Sequence, residues 1–300
     1  MAQRIEMKPV AHGALPYTGP RARKSQVGTR LRAGGRHVLL VIISLVFVAP
    51  LLWMLSSSLK TNTDIFIFPP HLLPTPPMWA NYPNALNYIP FWHYTWNTLI
   101  ITVASVAGTL FACPAAAYAF ARLHWRGRNF FFALSLSTIM LPFLATMVPL
   151  FVIFRQLNVI DTFWPLILPA FGGNPLYIFL LRQFFLGIPR ELSEAAHIDG
   201  ASEFTIFRRI ILPLSKPALA TVSLFTFLAN WKDFLAPLIF LQSSDLYTLS
   251  LGLQQYQSLH QTAWGYLMAA SVVFVLPVAI VFFAAQRFFI QGIALTGVKA

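Results

Sequence analysis

Charge is what this chain has least of. Only 10% of its residues are Asp, Glu, Lys or Arg, against about 25% in an ordinary soluble domain, which excludes a surface solvated all round. Cysteine is nearly absent: Cys113 stands alone inside an apolar run, so neither an internal disulfide nor a thiolate metal cluster can form. The seven His are scattered without an HExxH, and no Gly is followed by Lys, which removes the GxxxxGK[ST] phosphate loop. No catalytic residue and no metal site is therefore assigned. Any ATP-driven process that involves this chain would need another subunit to hydrolyse the nucleotide.

What is abundant is apolar. Hydrophobic residues make up 57% of the chain, 28 of them Phe, with a mean hydropathy of +0.65. The expected class is an all-α integral membrane protein embedded in a lipid bilayer. The net charge of +12 could point to nucleic acid, but the positive-inside bias of membrane proteins explains it without that partner.

Six apolar runs follow a polar, basic tail over 1–36: 37–58, 96–119, 130–154, 164–185, 218–241 and 263–285. Each matches the roughly 20 residues a spanning helix needs, and the first is too long and too far from the start for a cleaved signal peptide. With the N-terminus inside, the inner segments are 1–36, 120–129, 186–217 and 286–300. Outside these and Arg182, only Lys60, Arg155 and Lys232 remain of the 21 Lys and Arg, which fixes both termini on the cytoplasmic side. The chain then divides into a flexible tail 1–36, a six-span domain 37–285 and a cytoplasmic tail 286–300. The outer loop 59–94 is rich in Pro and aromatics, with Trp79, Trp92 and Trp96 as interface residues.

One inner segment breaks the apolar pattern. "RELSEAAHIDGASEFTIFRRIILPLSKP", 190–217, holds four of the nine acidic residues. Gly187-Ile188-Pro189 ends span four and opens a helix, and Glu191 and Glu194 lie where the helix dipole favours acids. Asp199-Gly200 is a turn signal. A second short helix carries Phe204, Phe207 and Ile211 on one stripe, Pro213 is expected to end it, and Ser215 and Pro217 to cap and start span five. The result is a helix–turn–helix whose exposed stripe needs a partner.

The literal residues go further. Glu194-Ala195-Ala196, three residues, Gly200, nine residues, then Ile210-Ile211-Leu212-Pro213 resembles the signature loop of permease subunits of bacterial ABC importers. "SLKTNTDIFIFPP", "AAAYAFARL", "VPLFVIF", "LPLSKPALATVSLFTFLANWKDFLAPLIF" and "QRFFIQGIALTGVKA" extend the likeness to carbohydrate permeases of the maltose-transporter type over about 37–300. The resemblance implies a type-1 transmembrane domain in which the loop at about 187–217 is a coupling helix seated on a cytoplasmic ATPase. Carried over by position, Glu194 would meet a basic residue of the ATPase, with Ala195, Ala196, Asp199 and Ala201 in the docking motif around it. Gly200 would allow the turn and close approach, Phe204 and Phe207 would give apolar contact, and Leu212 and Pro213 would fix the return into span five. The tail residues Gly292, Gly297 and Lys299 resemble a segment that reaches between the ATPases; a frayed terminus is the other reading. His197 and Lys232 depart from the family pattern, where Arg or Lys and Asn are usual.

The resemblance also implies partners: a second homologous permease, two ATPases that hold ATP and Mg, and an extracytoplasmic sugar-binding protein, in the bacterial inner membrane. This chain itself binds no cofactor. Span four, "WPLILPAFGGNPLYIFLL", should be broken, which lipid tolerates only where the freed backbone meets protein or a water-filled cavity. Asn174 and Tyr177 are thus candidate pathway residues, with packing through small residues as the alternative. Asn230, Trp231 and Asp233 in span five are a second candidate set, because an intramembrane ionisable residue points to function; Asn230 and Asp233 would share a face. A structural hydrogen-bond network or a gating role ranks ahead of direct sugar contact there. Competing readings are the same importer carrying a polyol or glycerol phosphate, a stand-alone secondary transporter or channel, which would want inverted repeats or midplane acids, and an assembly scaffold without transport.

Overall fold

The computed structural model describes the backbone of residues 26–257 and 262–297, with side chains from 35 to 257 and from 262 to 286. Two compact units divide the chain, Met1–Leu52 and Trp53–Ala300. Helix α1, Gln26–Ser58, begins earlier than the apolar run suggests; residues 1–25 of the expected tail lie outside the described residues. Helicity needs only satisfied backbone, so it runs on into the polar flank, whereas the apolar run marks only the stretch suited to lipid.

The second unit contains α2 (Asn62–Ile65), α3 (Asn81–Tyr88), α4 (Phe91–Ala121), α5 (Arg128–Ser137), α6 (Phe143–Gln156), α7 (Trp164–Phe171) and α8 (Pro175–Leu186). It continues through α9 (Glu191–Ile198), α10 (Glu203–Ile206), α11 (Leu212–Leu214), α12 (Lys216–Trp231), α13 (Leu235–Phe240), α14 (Leu249–Gly252) and α15 (Trp264–Gly297). Four helical stretches among the described residues are long and apolar enough to cross a membrane, or up to six if each of two bent pairs is one span. The third expected span bends by 102° between Met140 and Phe143, where Leu141-Pro142 interrupts the helix. The fifth is shorter than its apolar run: α12 stops at Trp231, and α13 starts only at Leu235. The sixth runs on as helix to Gly297, into the stretch expected as a cytoplasmic tail.

Helix α4 is the axis of this unit. It packs along α12, α8 and α7, and α12 packs in turn on α15. Lipid is as apolar as a side chain, so such contacts rest on close fit rather than on water release. Gly108 shows how close: a Cβ there would lie 2.6 Å from the Phe171 ring. At 31 residues and 1.5 Å per residue, α4 is about 46 Å long, and each of its ends carries a separate core. One joins Cys113, Ala117, Tyr118 and Ala121 to Leu181, Phe185, Ile206, Ile211 and Val222. The other joins Phe91 and Tyr94 to Trp231, Leu249, Tyr256, Ala269 and Ala270.

Candidate functional site

The segment 187–217 stands on a reciprocal clasp between α4 and α8. Arg122, just past α4, donates to the carbonyls of Phe185, at 2.6 Å, and Ile188. Both stand at the C-terminal end of α8, where a cation is also favoured by the helix dipole. Arg182 of α8 donates back to the Phe120 carbonyl at 3.2 Å, and its guanidinium lies 4.2 Å from the centre of the Phe132 ring of α5. Burial pulls the Arg122 pKa below its ordinary range, and nearby Arg190 adds to the effect. In sequence these arginines read only as positive-inside charges; their roles depend on partners some 60 residues away.

From this root the two short helices fold as expected. Glu191 and Glu194 lie in the first turn of α9. The helix closes at Asp199, and Gly200 follows at φ +79°, with no atom of the described residues beyond its immediate neighbours within 4 Å of where a Cβ would stand. Only Gly adopts that conformation without strain, and the open space around it is room for another molecule. Ser202 then caps α10, accepting from the Thr205 amide at 3.3 Å.

The motif residues sort into two faces. Glu194, Ala195, Asp199 and Gly200 are exposed, with Ile198 at 87% and Phe204 at 69% exposure. Ala196, Ala201 and Phe207 pack against the core beneath. Here the expected stripe divides. The Phe207 ring lies 5.0 Å from Tyr118 of α4 and Ile211 is wholly buried, so Phe204 alone of the three faces outward. Beyond Phe207, the π-helical stretch Phe207–Ile211 shifts the register that a period of 3.6 would give.

The exit from the loop also differs. Pro213 does not end the helix; α11 carries it through to Leu214, with Leu212 half-buried and Pro213 exposed. A wide turn just before Pro213 gives its ring the room that a regular helix denies. Ser215 does not cap α12: its hydroxyl donates back to the Ile211 carbonyl at 2.7 Å. The chain bends there, by 77° between the helical stretch Glu203–Leu214 and α12.

The candidate pathway residues serve mostly structural ends. Span four is interrupted at Gly172-Gly173-Asn174, as expected, and the break faces protein: the Asn174 amide donates to Cys113 Sγ of α4 at 3.3 Å. The Asn174 side chain accepts from the Leu176 amide, at 2.9 Å, and the Tyr177 amide, capping α8. Tyr177 is half-buried and packs against the inner core. Asn230 donates to the Thr226 carbonyl of its own helix at 2.8 Å.

Trp231 is enclosed by its neighbours. It is 2% exposed, stacks on Phe227 and Phe274, and donates to the Phe274 carbonyl at 3.1 Å. An indole used in this way on all sides has no face for a sugar. Asp233 does not share a helical face with Asn230, since α12 ends between them, and its carboxylate accepts from the Ala236 amide at 3.3 Å to cap α13. Gly292 and Gly297 fall in the final turns of α15, while Lys299 lies outside the described residues. Among the described residues no group of His, Cys, Asp and Glu could hold a metal ion.

With this geometry in view, residues 108–295 match the family model described as "Binding-protein-dependent transport system inner membrane component". The chain belongs to this family. The probable ABC transporter permease YurM of Bacillus subtilis is 36% identical over 87% of each chain. The arabinooligosaccharides transport system permease AraQ of Halalkalibacterium halodurans is 36% identical over 86% of this chain and 93% of its own. The diacetylchitobiose uptake system permease DasC of Streptomyces coelicolor is 31% identical over 88% and 96%. Among solved structures, a chain of a bacterial ABC transporter involved in import of the acidic polysaccharide alginate superposes with a TM-score of 0.76 at 27% identity, over 87% of this permease and 98% of that chain. This permease is therefore an ABC-importer membrane subunit with the type-1 transmembrane fold, and such subunits are not themselves enzymes.

Proposed function

We propose that this permease forms half of the pathway of an ATP-driven carbohydrate importer in the bacterial inner membrane, with both termini cytoplasmic. A second, homologous permease supplies the other half, two cytoplasmic subunits hold and hydrolyse ATP with Mg, and an extracytoplasmic binding protein delivers the sugar. The carbohydrate assignment rests on relatives named for arabinooligosaccharide and diacetylchitobiose transport. The observation that carries the coupling role is the outward face of α9 and α10. Ile198 and Phe204 stand exposed beside Glu194 and Asp199, around a positive-φ glycine in open space. Such a face suits a groove that is apolar at its floor and basic at its rim.

The permease moves between inward- and outward-open forms as the ATPases close. It lowers no covalent barrier; its part is to couple one equilibrium to another. The test is to co-express the permease with its genomic neighbours, reconstitute the purified complex in lipid, and measure ATP hydrolysis with the binding protein against oligosaccharides, polyols and glycerol phosphates. Stimulation by one oligosaccharide supports the proposal. Stimulation by a polyol or glycerol phosphate alone overturns the cargo class, and failure of any ATPase to co-purify overturns the coupling role.

A further inference from the structure

The loop is joined to the spans covalently at two points, through Gly187–Pro189 to α8 and through Ser215 to α12. Helix α4 has no such join, yet it is the helix that α7, α8 and α12 all pack against. Phe207 packs on it, and among the described residues one side chain of the loop hydrogen-bonds to it. Tyr118 Oη of α4 donates to Glu203 Oε2, across 85 residues of sequence. The other carboxylate oxygen, Oε1, lies 3.2 Å from His197 Nε2 of α9. Glu203 thus touches both the inner core and the other arm of the loop.

The two contacts are not equal. The His197 and Glu203 side chains are 46% and 51% exposed, so water and salt screen their pairing. Tyr118 is 6% exposed, and its ring is held against Phe207. A phenol so enclosed keeps its hydrogen-bond partner, because losing it would strand a buried polar group. The tether to α4 is therefore the firmer of the two.

We propose that Glu203 is a positioning residue that ties the coupling loop to α4, so that displacement at the docking face reaches span two at the same time as spans four and five. This rests on the reading of 187–217 as the ATPase-docking loop. Through Tyr118 the motion is delivered to the one helix that contacts the three others, rather than only to the two spans flanking the loop.

The chain carries its own reporter. Cys113, its sole cysteine, lies buried on α4 against the break in span four. In the purified complex with its ATPases, the rate of Cys113 alkylation by N-ethylmaleimide is measured without nucleotide and with Mg-ATP. The intact complex should show a change of about fivefold, the lower end of ordinary coupling between sites. Tyr118→Phe and Glu203→Ala should each reduce that change to within about twofold, and the double variant should lose no more than either alone, as two ends of one contact must. Glu203→Gln, whose amide oxygen still accepts from Tyr118, should retain most of the change.

A full nucleotide effect in Tyr118→Phe overturns the inference, as does no effect in the intact complex or a Glu203→Gln variant as impaired as Glu203→Ala. Gly200→Trp separates this from the docking reading. If Gly200→Trp releases the ATPase while Tyr118→Phe keeps the full effect, docking stands and the tether falls. If Gly200→Trp leaves the ATPase bound and the nucleotide effect intact, the docking reading itself falls.

Discussion

The two ends of α4 are built on opposite plans. At the end near Phe91, loops from distant parts of the chain close on one another. Asn97 donates to the carbonyls of Asp245, at 2.8 Å, and Tyr247, the Leu249 amide donates to Thr98, and the buried Tyr256 donates to Ala85. Nearby loops add to it: Asp161 accepts from the amides of Gln242 and Ser243 at 2.8 and 2.9 Å, and Asn81 donates to the carbonyls of Ser58 and Lys60. At the end near Ala121, the roots are fastened by Arg122 and Arg182, but the loop above them leaves Ile198 and Phe204 bare. One end closes its loops on one another through hydrogen bonds; the other leaves the face proposed above as the docking surface. Apolar side chains bare to water beside four acids in a short segment are better explained by docking than by packing.

That contrast can be broken in four places. Trp231→Ala, at the closed end, should be the most damaging to stability, by about 3–5 kcal/mol for loss of a buried indole. Thermal unfolding in detergent checks this, and cargo preference should not change. Arg122→Ala should destabilise by about 1–3 kcal/mol, because it frees carbonyls at a helix end from a charged donor. Faster hydrogen exchange across 185–200 should accompany the lower Tm. Phe204→Asp should leave the Tm of the isolated chain unchanged within error but reduce ATPase recovered in a pull-down about tenfold, the equivalent of about 1.4 kcal/mol of docking energy.

The smallest effect is at Asp161, which lies between α6 and α7. The Ser243 hydroxyl, followed by the Ser243 and Gln242 amides, holds its carboxylate below the usual aspartate range. A depressed folded-state pKa stabilises the fold above the unfolded pKa, near 3.9, and this is lost as pH falls through the folded value. Asp161→Asn should lower Tm slightly at neutral pH and flatten the pH dependence of Tm below about pH 4. If Asp161→Asn changed ATPase binding instead, the division of labour between the two ends would be wrong.

What the sequence made legible followed from local rules. The apolar runs marked the spans, Asp199-Gly200 marked a turn that only positive φ satisfies, and Gly-Gly-Asn-Pro marked the break in span four. The residues misread were those whose role depends on distant partners or on changed register. The enclosure of Trp231 left no local sign because its partner Phe274 is 43 residues away. Phe207 read as outward because the ring it packs against, Tyr118, lies far away in sequence. Tyr118 and Glu203, 85 residues apart, carry no local signal at all.

The central claim is that the outward face of α9 and α10 is where an ATP-hydrolysing subunit sits. The most direct measurement places a photoreactive amino acid at position 204 and cross-links the complex in native membranes. The account predicts a covalent product joining this permease to the ATPase, lost when Gly200→Trp is added. Cross-links confined to lipid or to the chain itself, in a complex that still hydrolyses ATP, would contradict it.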